Sequence, residues 1–195
     1  MENTVKQAKQ TNTLVISNYG HDLSWLKDYN NPYVIYDRSD DPGKAASDAG
    51  LGGKVHAVSN VGYNLHDIFR YIIDTYDTLP SVVTFCKGNI FPRHISKEKL
   101  EELKDKQLFT PLFDHNEHRP SFPVSMFSSE GLWCEQNNGT IIINPAETSI
   151  QSKYFSVYDD LLRFIFVNPV IPRYITFAPG ANYVVPREYI LKYRW

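Results

Sequence analysis

Residues 55–85, VHAVSNVGYNLHDIFRYIIDTYDTLPSVVTF, decide the fold class. Val55-His56-Ala57-Val58 reads as a strand, and Asn60-Val61-Gly62-Tyr63-Asn64 as the turn that follows it. Leu65, Ile68, Phe69, Ile72, Ile73 and Tyr76 then recur at the spacing of one apolar helix face packed on a sheet. Asn64 is the expected N-cap of that helix, because its carboxamide oxygen can accept from the orphan N–H groups of the first turn. Asp77-Thr78-Leu79-Pro80 closes the helix, and Ser81-Val82-Val83-Thr84-Phe85 is the next strand. Strand, helix, strand implies a crossover connection and a mostly parallel mixed sheet flanked by helices, so the class is α/β.

Working outward, Leu14-Val15-Ile16-Ser17 is a buried strand opening into the polar loop Asn18-Tyr19-Gly20-His21-Asp22. Tyr33-Val34-Ile35-Tyr36 is another, ending at Asp37-Arg38-Ser39-Asp40-Asp41-Pro42-Gly43. Residues 43–54, GKAASDAGLGGK, hold four of the ten glycines and read as a mobile loop. They contain no GxxxxGK[ST], and no helix follows Lys54, so they are not a P-loop. Ser96 caps the charged stretch KEKLEELKDK, whose Leu100 and Leu103 give only a thin apolar edge, as in a surface helix. Residues 109–138 are rich in Phe, Pro, His and Asn without periodicity and read as a long ordered loop region.

Beyond it, Asn137-Asn138 forms a hairpin turn into the strand Thr140-Ile141-Ile142-Ile143. Ser156 with Asp159 opens a helix containing Val157, Leu161, Leu162, Ile165 and Phe166, which stops before Asn168-Pro169. Tyr174-Ile175-Thr176-Phe177 and Tyr183-Val184-Val185 are the last apolar segments. The expected organisation is a flexible N-terminus at 1–12 and a single Rossmann-like domain at 13–195.

The chain has 195 residues and a formal charge of −2, so the clustered cationic surface that general nucleic-acid binding requires could exist only as a local patch. Cys86 and Cys134 match no zinc spacing and read as reduced thiols. The polar N-terminus has no secretory apolar core, and no run of roughly 18 apolar residues could span a bilayer. The expectation is a cytoplasmic protein with no integral membrane segment and no nucleic-acid partner, in which Asn138-Gly139-Thr140 marks a turn rather than a glycan site.

In an open α/β sheet, ligands bind beyond the carboxyl ends of the strands. Those positions hold Asn18, Tyr19 and Asp22; Asp37 and Arg38; Asn60, Gly62 and Asn64; and Lys87, Gly88 and Asn89. A rim of this kind suits a nucleotide: a ring for the base, carboxylates and amides for ribose hydroxyls, and a lysine for phosphates. The competing reading of Asn60, Asn64 and Asp40 is that they only make turns.

The blocks SNYGHDLSWL at 17–26, VIYD at 34–37, NVGYN at 60–64, IIDTYDTLP at 72–80 with TFCKGN at 84–89, and GANYVV at 180–185 resemble a family of proteins of unassigned function. That family is similar to small glycosyltransferase domains of the GT-A type, including those with which large algal viruses glycosylate their capsids. The resemblance implies a nucleotide-sugar donor, its base near Asn18–Asp22 and its sugar near the end of the Phe85 strand, and a glycan, lipid-linked or protein-linked acceptor. Where such enzymes carry Asp-x-Asp for Mn2+ or Mg2+, this chain has Cys86-Lys87-Gly88-Asn89. Metal use is therefore open between carboxylates of the neighbouring loop, Asp37 and Asp40 with Asp41, and a metal-independent site in which Lys87 neutralises the diphosphate.

Transfer also needs a base for the acceptor hydroxyl, and His94 and His115 are the candidates. His115 and His118 lack a third ligand at a zinc spacing. Sugars pack on aromatic rings, so Trp133 and Tyr183, with Gly180, Ala181 and Asn182, are the expected acceptor contacts. The functional expectation is a nucleotide-sugar-dependent glycosyltransferase; the alternative is a non-catalytic nucleotide- or carbohydrate-binding module on the same fold.

Overall fold

The computed structural model describes residues 12–113, 124–127, 133–137, 140–143, 158–171, 174–176, 178 and 180–192. The sequence reading treats 13–195 as one domain, whereas the chain's contacts group into two compact units, Met1–Asp114 with Gly180–Trp195, and His115–Pro179.

The first unit is built on a six-stranded mixed sheet in the order β3-β2-β1-β4-β10-β5. These strands are β1 (Asn12–Asn18), β2 (Tyr33–Asp37), β3 (Lys54–Ala57), β4 (Val82–Lys87), β5 (Thr110–Pro111) and β10 (Tyr183–Pro186). The four strands from β3 to β4 run parallel, as the crossover pattern requires, while β10 is antiparallel to both β4 and β5. Successive side chains of a strand point to opposite faces. Leu14 and Ile16 of β1 accordingly join Leu23, Trp25, Leu26, Ala46 and Leu100 in one cluster. Val15 joins Val34, Tyr36, Val83, Phe85 and Tyr71 in a second cluster on the other face. A strand buried on both faces reads as an unbroken apolar run, which is why β1, β2 and β4 were legible.

The helices of this unit are α1 (Lys44–Asp48), α2 (Tyr63–Thr75), α3 (Lys97–Leu103) and α5 (Arg187–Leu191). Ser96 caps α3 as expected, its hydroxyl accepting from the Lys99 N–H at 3.1 Å, and Leu100 anchors the helix in the core. Two expectations for these helices need correction. Residues 43–54 are not a mobile loop: they contain α1, whose Ala46, with Ala49 after it, is buried. Small side chains let that short helix approach the sheet closely. Asn64 is not the N-cap of α2: the cap is Gly62 at φ 67°, followed by Tyr63 at φ 49°. That left-handed entry puts Asn64 inside the first turn and frees its side chain for another partner.

The apolar stripe of α2 is also split. Ile68 and Ile72 pack on the sheet beside buried Tyr71, whereas Leu65, Phe69 and Ile73 are each more than half exposed. The helix is rolled toward Asp67 and Tyr71, its two buried residues.

The second unit contains a four-stranded antiparallel sheet, β8-β7-β6-β9, formed by β6 (Val124–Phe127), β7 (Trp133–Asn137), β8 (Thr140–Ile143) and β9 (Tyr174–Thr176). The β7–β8 register pairs Asn137 with Thr140, so Asn137 of the expected turn belongs to β7, while Asn138 lies outside the described residues. Helix α4 spans Tyr158–Ile165. The stretch 109–138 is thus not purely loop, since it supplies β5, β6 and β7. Among the described residues no helix is long and apolar enough to cross a membrane. Cys86 is free and buried, and burial pushes its thiol up to about 12.

Candidate functional site

The carboxyl edge of the parallel strands gathers the sequence-expected residues by register alone. Asn18 of β1 lies opposite Asp37 of β2, and Ser17 lies opposite Lys87 of β4. Asp37 is fully buried; its Oδ1 accepts from the Ser39 N–H at 3.0 Å and its Oδ2 from the Gly43 N–H at 2.9 Å. Burial pushes this carboxyl up, but the hydrogen bonds from the Gly43 and Ser39 amides, with the polar side chains of Ser39 and Asn18 beside it, outweigh that, so the group is held below its ordinary value. Asp37 therefore folds the β2 loop around itself. Asn18 Oδ1 accepts from the His21 N–H at 3.2 Å and shapes the loop after β1 in the same way. At Gly88 a Cβ would lie 2.3 Å from Asn18 Oδ1, so only glycine lets the chain leaving β4 pass this close.

Cations line the same edge. Arg38, the residue after β2, forms a buried ion pair with Asp67 of α2, their side chains 5% and 1% exposed. Asp67 also holds the His66 ring, Oδ1 to Nδ1, at 3.4 Å. Burial lowers the Arg38 guanidinium from its ordinary value, and its Nε is a buried donor with no hydrogen-bond partner among the described residues. The Lys87 side chain is half-buried, and its ammonium is lowered first by burial and then by the charges of Arg93 and Arg38. No carboxylate pairs with it among the described residues. A cation held this way, pressed by two others, presents unneutralised charge to whatever enters.

The segment leading into β10 completes this corner. Asn182 is fully buried, and its Oδ1 accepts from the Lys87 N–H at 2.9 Å, tying β10 to the end of β4. Gly180, at φ 78°, is met by three side chains: a Cβ there would stand 3.1 Å from Lys87 Cδ, His94 Nε2 and Asn182 Nδ2 alike. Asn64 Nδ2 donates to the Gly180 carbonyl at 2.6 Å, so the start of α2 is fastened to the same residue. Beside this corner, Tyr19, Gly20, His21 and Asp22 face Ser39, Asp40, Asp41 and Lys44 across a cleft of about 540 Å3. Tyr19 is 53% exposed there, free to stack on a planar ligand.

Both oxygens of Asp37 are taken by main-chain N–H groups, Asp40 is exposed in the cleft wall, and no group of three His, Cys, Asp or Glu among the described residues is placed to hold a metal.

The remaining expected residues lie as follows. Asn60 is exposed, and Gly62 serves as the cap of α2. Buried His94 joins Lys87 at Gly180. Asn89 Oδ1 is a buried acceptor with no partner among the described residues. Ala181 is at φ 54°, and Tyr183 stacks on Phe109 at 5.1 Å, which engages one face of its ring. Trp133 lies in β7, its side chain outside the described residues, and His115 also lies outside them. Asp67 and Arg93 were missed by sequence reading. Asp67 lies off the stripe of Leu65, Ile68, Phe69, Ile72 and Ile73, on the side that the helical period reads as polar, so no local signal marked it.

A search of the curated proteins finds no match. Residues 14–194, which span all but the first two residues of the first sheet and include the corner just described, match the family described as protein of unknown function DUF3431, and the chain belongs to that family.

Proposed function

We propose that this chain is a glycosyltransferase of the GT-A type that moves a sugar from a nucleotide-sugar donor to a glycan, lipid-linked or protein-linked acceptor. The observation that carries this reading is Lys87, a half-buried ammonium at the carboxyl end of a central parallel strand, without a carboxylate partner among the described residues and pressed by Arg38 and Arg93. In this reading it is the positive charge that a leaving diphosphate needs. The mixed sheet, with four parallel strands meeting β10, supports the reading, and so does exposed Tyr19 as a platform for the base.

In this reaction the bond from the anomeric carbon to the diphosphate breaks, a bond to the acceptor oxygen forms, and the acceptor proton passes to a base. Charge accumulates on the departing phosphate oxygen, and a preorganised cation there lowers the barrier. Lys87 supplies that cation, with Gly88 allowing the backbone to approach and Asn182 fixing the strand end. The base is the role assigned to His94 and His115; His94 stands against Gly180 beside Lys87.

The test is incubation with radiolabelled nucleotide sugars, with EDTA and with Mn2+, scoring sugar release and transfer to a panel of glycans. Release or transfer that persists in EDTA and falls at least about tenfold in Lys87→Ala is expected, since a charge-assisted contact contributes roughly 1.5–3 kcal/mol. Tight nucleotide binding without any sugar released would favour the non-catalytic binding module instead.

A further inference from the structure

A second cleft, also of about 540 Å3, lies on the other side of the loop after β1, sharing only His21 and Asp22 with the first. Its walls come from three segments: His21, Asp22, Ser24, Trp25 and Asp28; Gly88, Asn89 and Phe91; and Lys97 at the start of α3. Its chemistry differs from that of the Lys87 corner. The charges at its edge are already satisfied. Lys97 Nζ pairs with Asp28 at 2.6 Å, and Asp22 accepts from both the backbone N–H and the hydroxyl of Ser24, at 2.9 and 2.6 Å. The Ser24 contacts hold the Asp22 carboxyl below its ordinary value.

The floor is aromatic. Phe91 is half-buried and meets Trp25 edge to face at 5.1 Å, while the Trp25 indole N–H donates to the Gly88 carbonyl at 2.8 Å. Asn89 also lines this cleft, and its buried Oδ1 lacks a donor among the described residues. A buried acceptor without a partner costs about 1–3 kcal/mol and is commonly satisfied by a ligand or an ordered water.

We infer that this cleft is a binding site for a neutral saccharide. Such a ligand lays a C–H face on the Phe91 ring, gives a hydroxyl proton to the Asn89 carboxamide once that group turns its buried Oδ1 toward the cleft, gives another to the Ser24 hydroxyl oxygen, and brings no charge that Asp22 or the Asp28–Lys97 pair would have to rearrange to meet. An anion is disfavoured by the two carboxylates, which sets this cleft apart from the Lys87 edge. The inference does not depend on sugar transfer; where that reading holds, the bound saccharide is the acceptor, separated from the donor side only by His21 and Asp22.

The experiment is 15N–1H correlation spectroscopy of the intact chain, following the Trp25 indole N–H and the Asn89 carboxamide. The probes are methyl glucoside, methyl galactoside, methyl mannoside and chitobiose at millimolar concentration. At least one should shift both resonances saturably. Asn89→Ala should weaken that affinity about tenfold, the equivalent of one lost hydrogen bond, and Phe91→Ala should abolish saturation. Asn89→Asp, which keeps the side-chain shape, is the second variant should either alanine variant lose the native spectrum, and it too should bind more weakly. The inference is overturned if none of the four probes moves these resonances, or if the variants that keep a native spectrum bind like the wild type. Uridine diphosphate titrated into the same samples keeps the two claims apart. Saccharide shifts without nucleotide binding would sink only the donor site, and nucleotide binding without saccharide shifts would sink only this cleft.

Discussion

Asp37 and Gly88 show how single residues build the edge. With both its oxygens held by main-chain N–H groups in a fully buried position, Asp37 cannot be replaced by a carboxamide without leaving an amide group facing another donor. Asp37→Asn should cost about 1.5–3 kcal/mol, measured by urea unfolding. The pH dependence follows from the direction of the shift. Because the folded carboxyl lies below its ordinary value of 3.8, the unfolded chain takes up the proton first as the pH falls. The stability contributed by Asp37 is thus fully present above about pH 4 and is lost on descending through the lower folded value. Asp37→Asn should flatten that acid limb; an unchanged limb would mean that other carboxyls produce it.

Gly88→Ala is the sharper steric test, since the added methyl would have to displace Asn18 Oδ1 from 2.3 Å. Overpacking of this kind costs about 1–3 kcal/mol, and a loss of less than half a kcal/mol would show that the β1 and β4 ends are looser than described.

At the scale of elements, α2 separates what a sequence pattern can and cannot say. Its 3.6-residue period marked Ile68 and Ile72 correctly as sheet-facing, but it set Leu65, Phe69 and Ile73 on the same face, and these are exposed. The actual rotation goes with contacts far away in the chain: Asp67 reaching Arg38, 29 residues distant, and Asn64 reaching Gly180, 116 residues distant. No local signal carries such pairings. For the same reason the order of β10 between β4 and β5 was invisible, whereas the apolar runs of β1, β2 and β4 announced themselves. The rolled helix makes a direct prediction by thermal or urea unfolding. Phe69→Lys, on the exposed side, should change stability by no more than about 0.5 kcal/mol. Tyr71→Ala, beside Phe85 in the second cluster, should cost about 3 kcal/mol. Comparable losses at both positions would reverse the assignment of the two faces.

At the scale of the whole molecule, a chain of net charge −2 concentrates Arg38, Lys87 and Arg93 at one edge of its larger sheet and keeps carboxylates in the walls beside it. The sequence foretold Asn18, Asp37 and Lys87 at that edge because parallel strands end at the same level, and register then brought them together. It did not foretell that each oxygen of Asp37 would accept from an N–H of its own loop, since turn geometry rather than residue type decides which amides meet a carboxylate. A positive edge in a nearly neutral protein implies local, salt-sensitive attraction for a phosphorylated ligand. The most direct measurement is calorimetric titration of uridine and guanosine diphosphates into the chain in EDTA, at low and high salt, alongside Lys87→Ala. The account predicts metal-independent binding that weakens with salt and drops about tenfold or more in the variant; no binding of either nucleotide, or equal binding by wild type and Lys87→Ala, would contradict it.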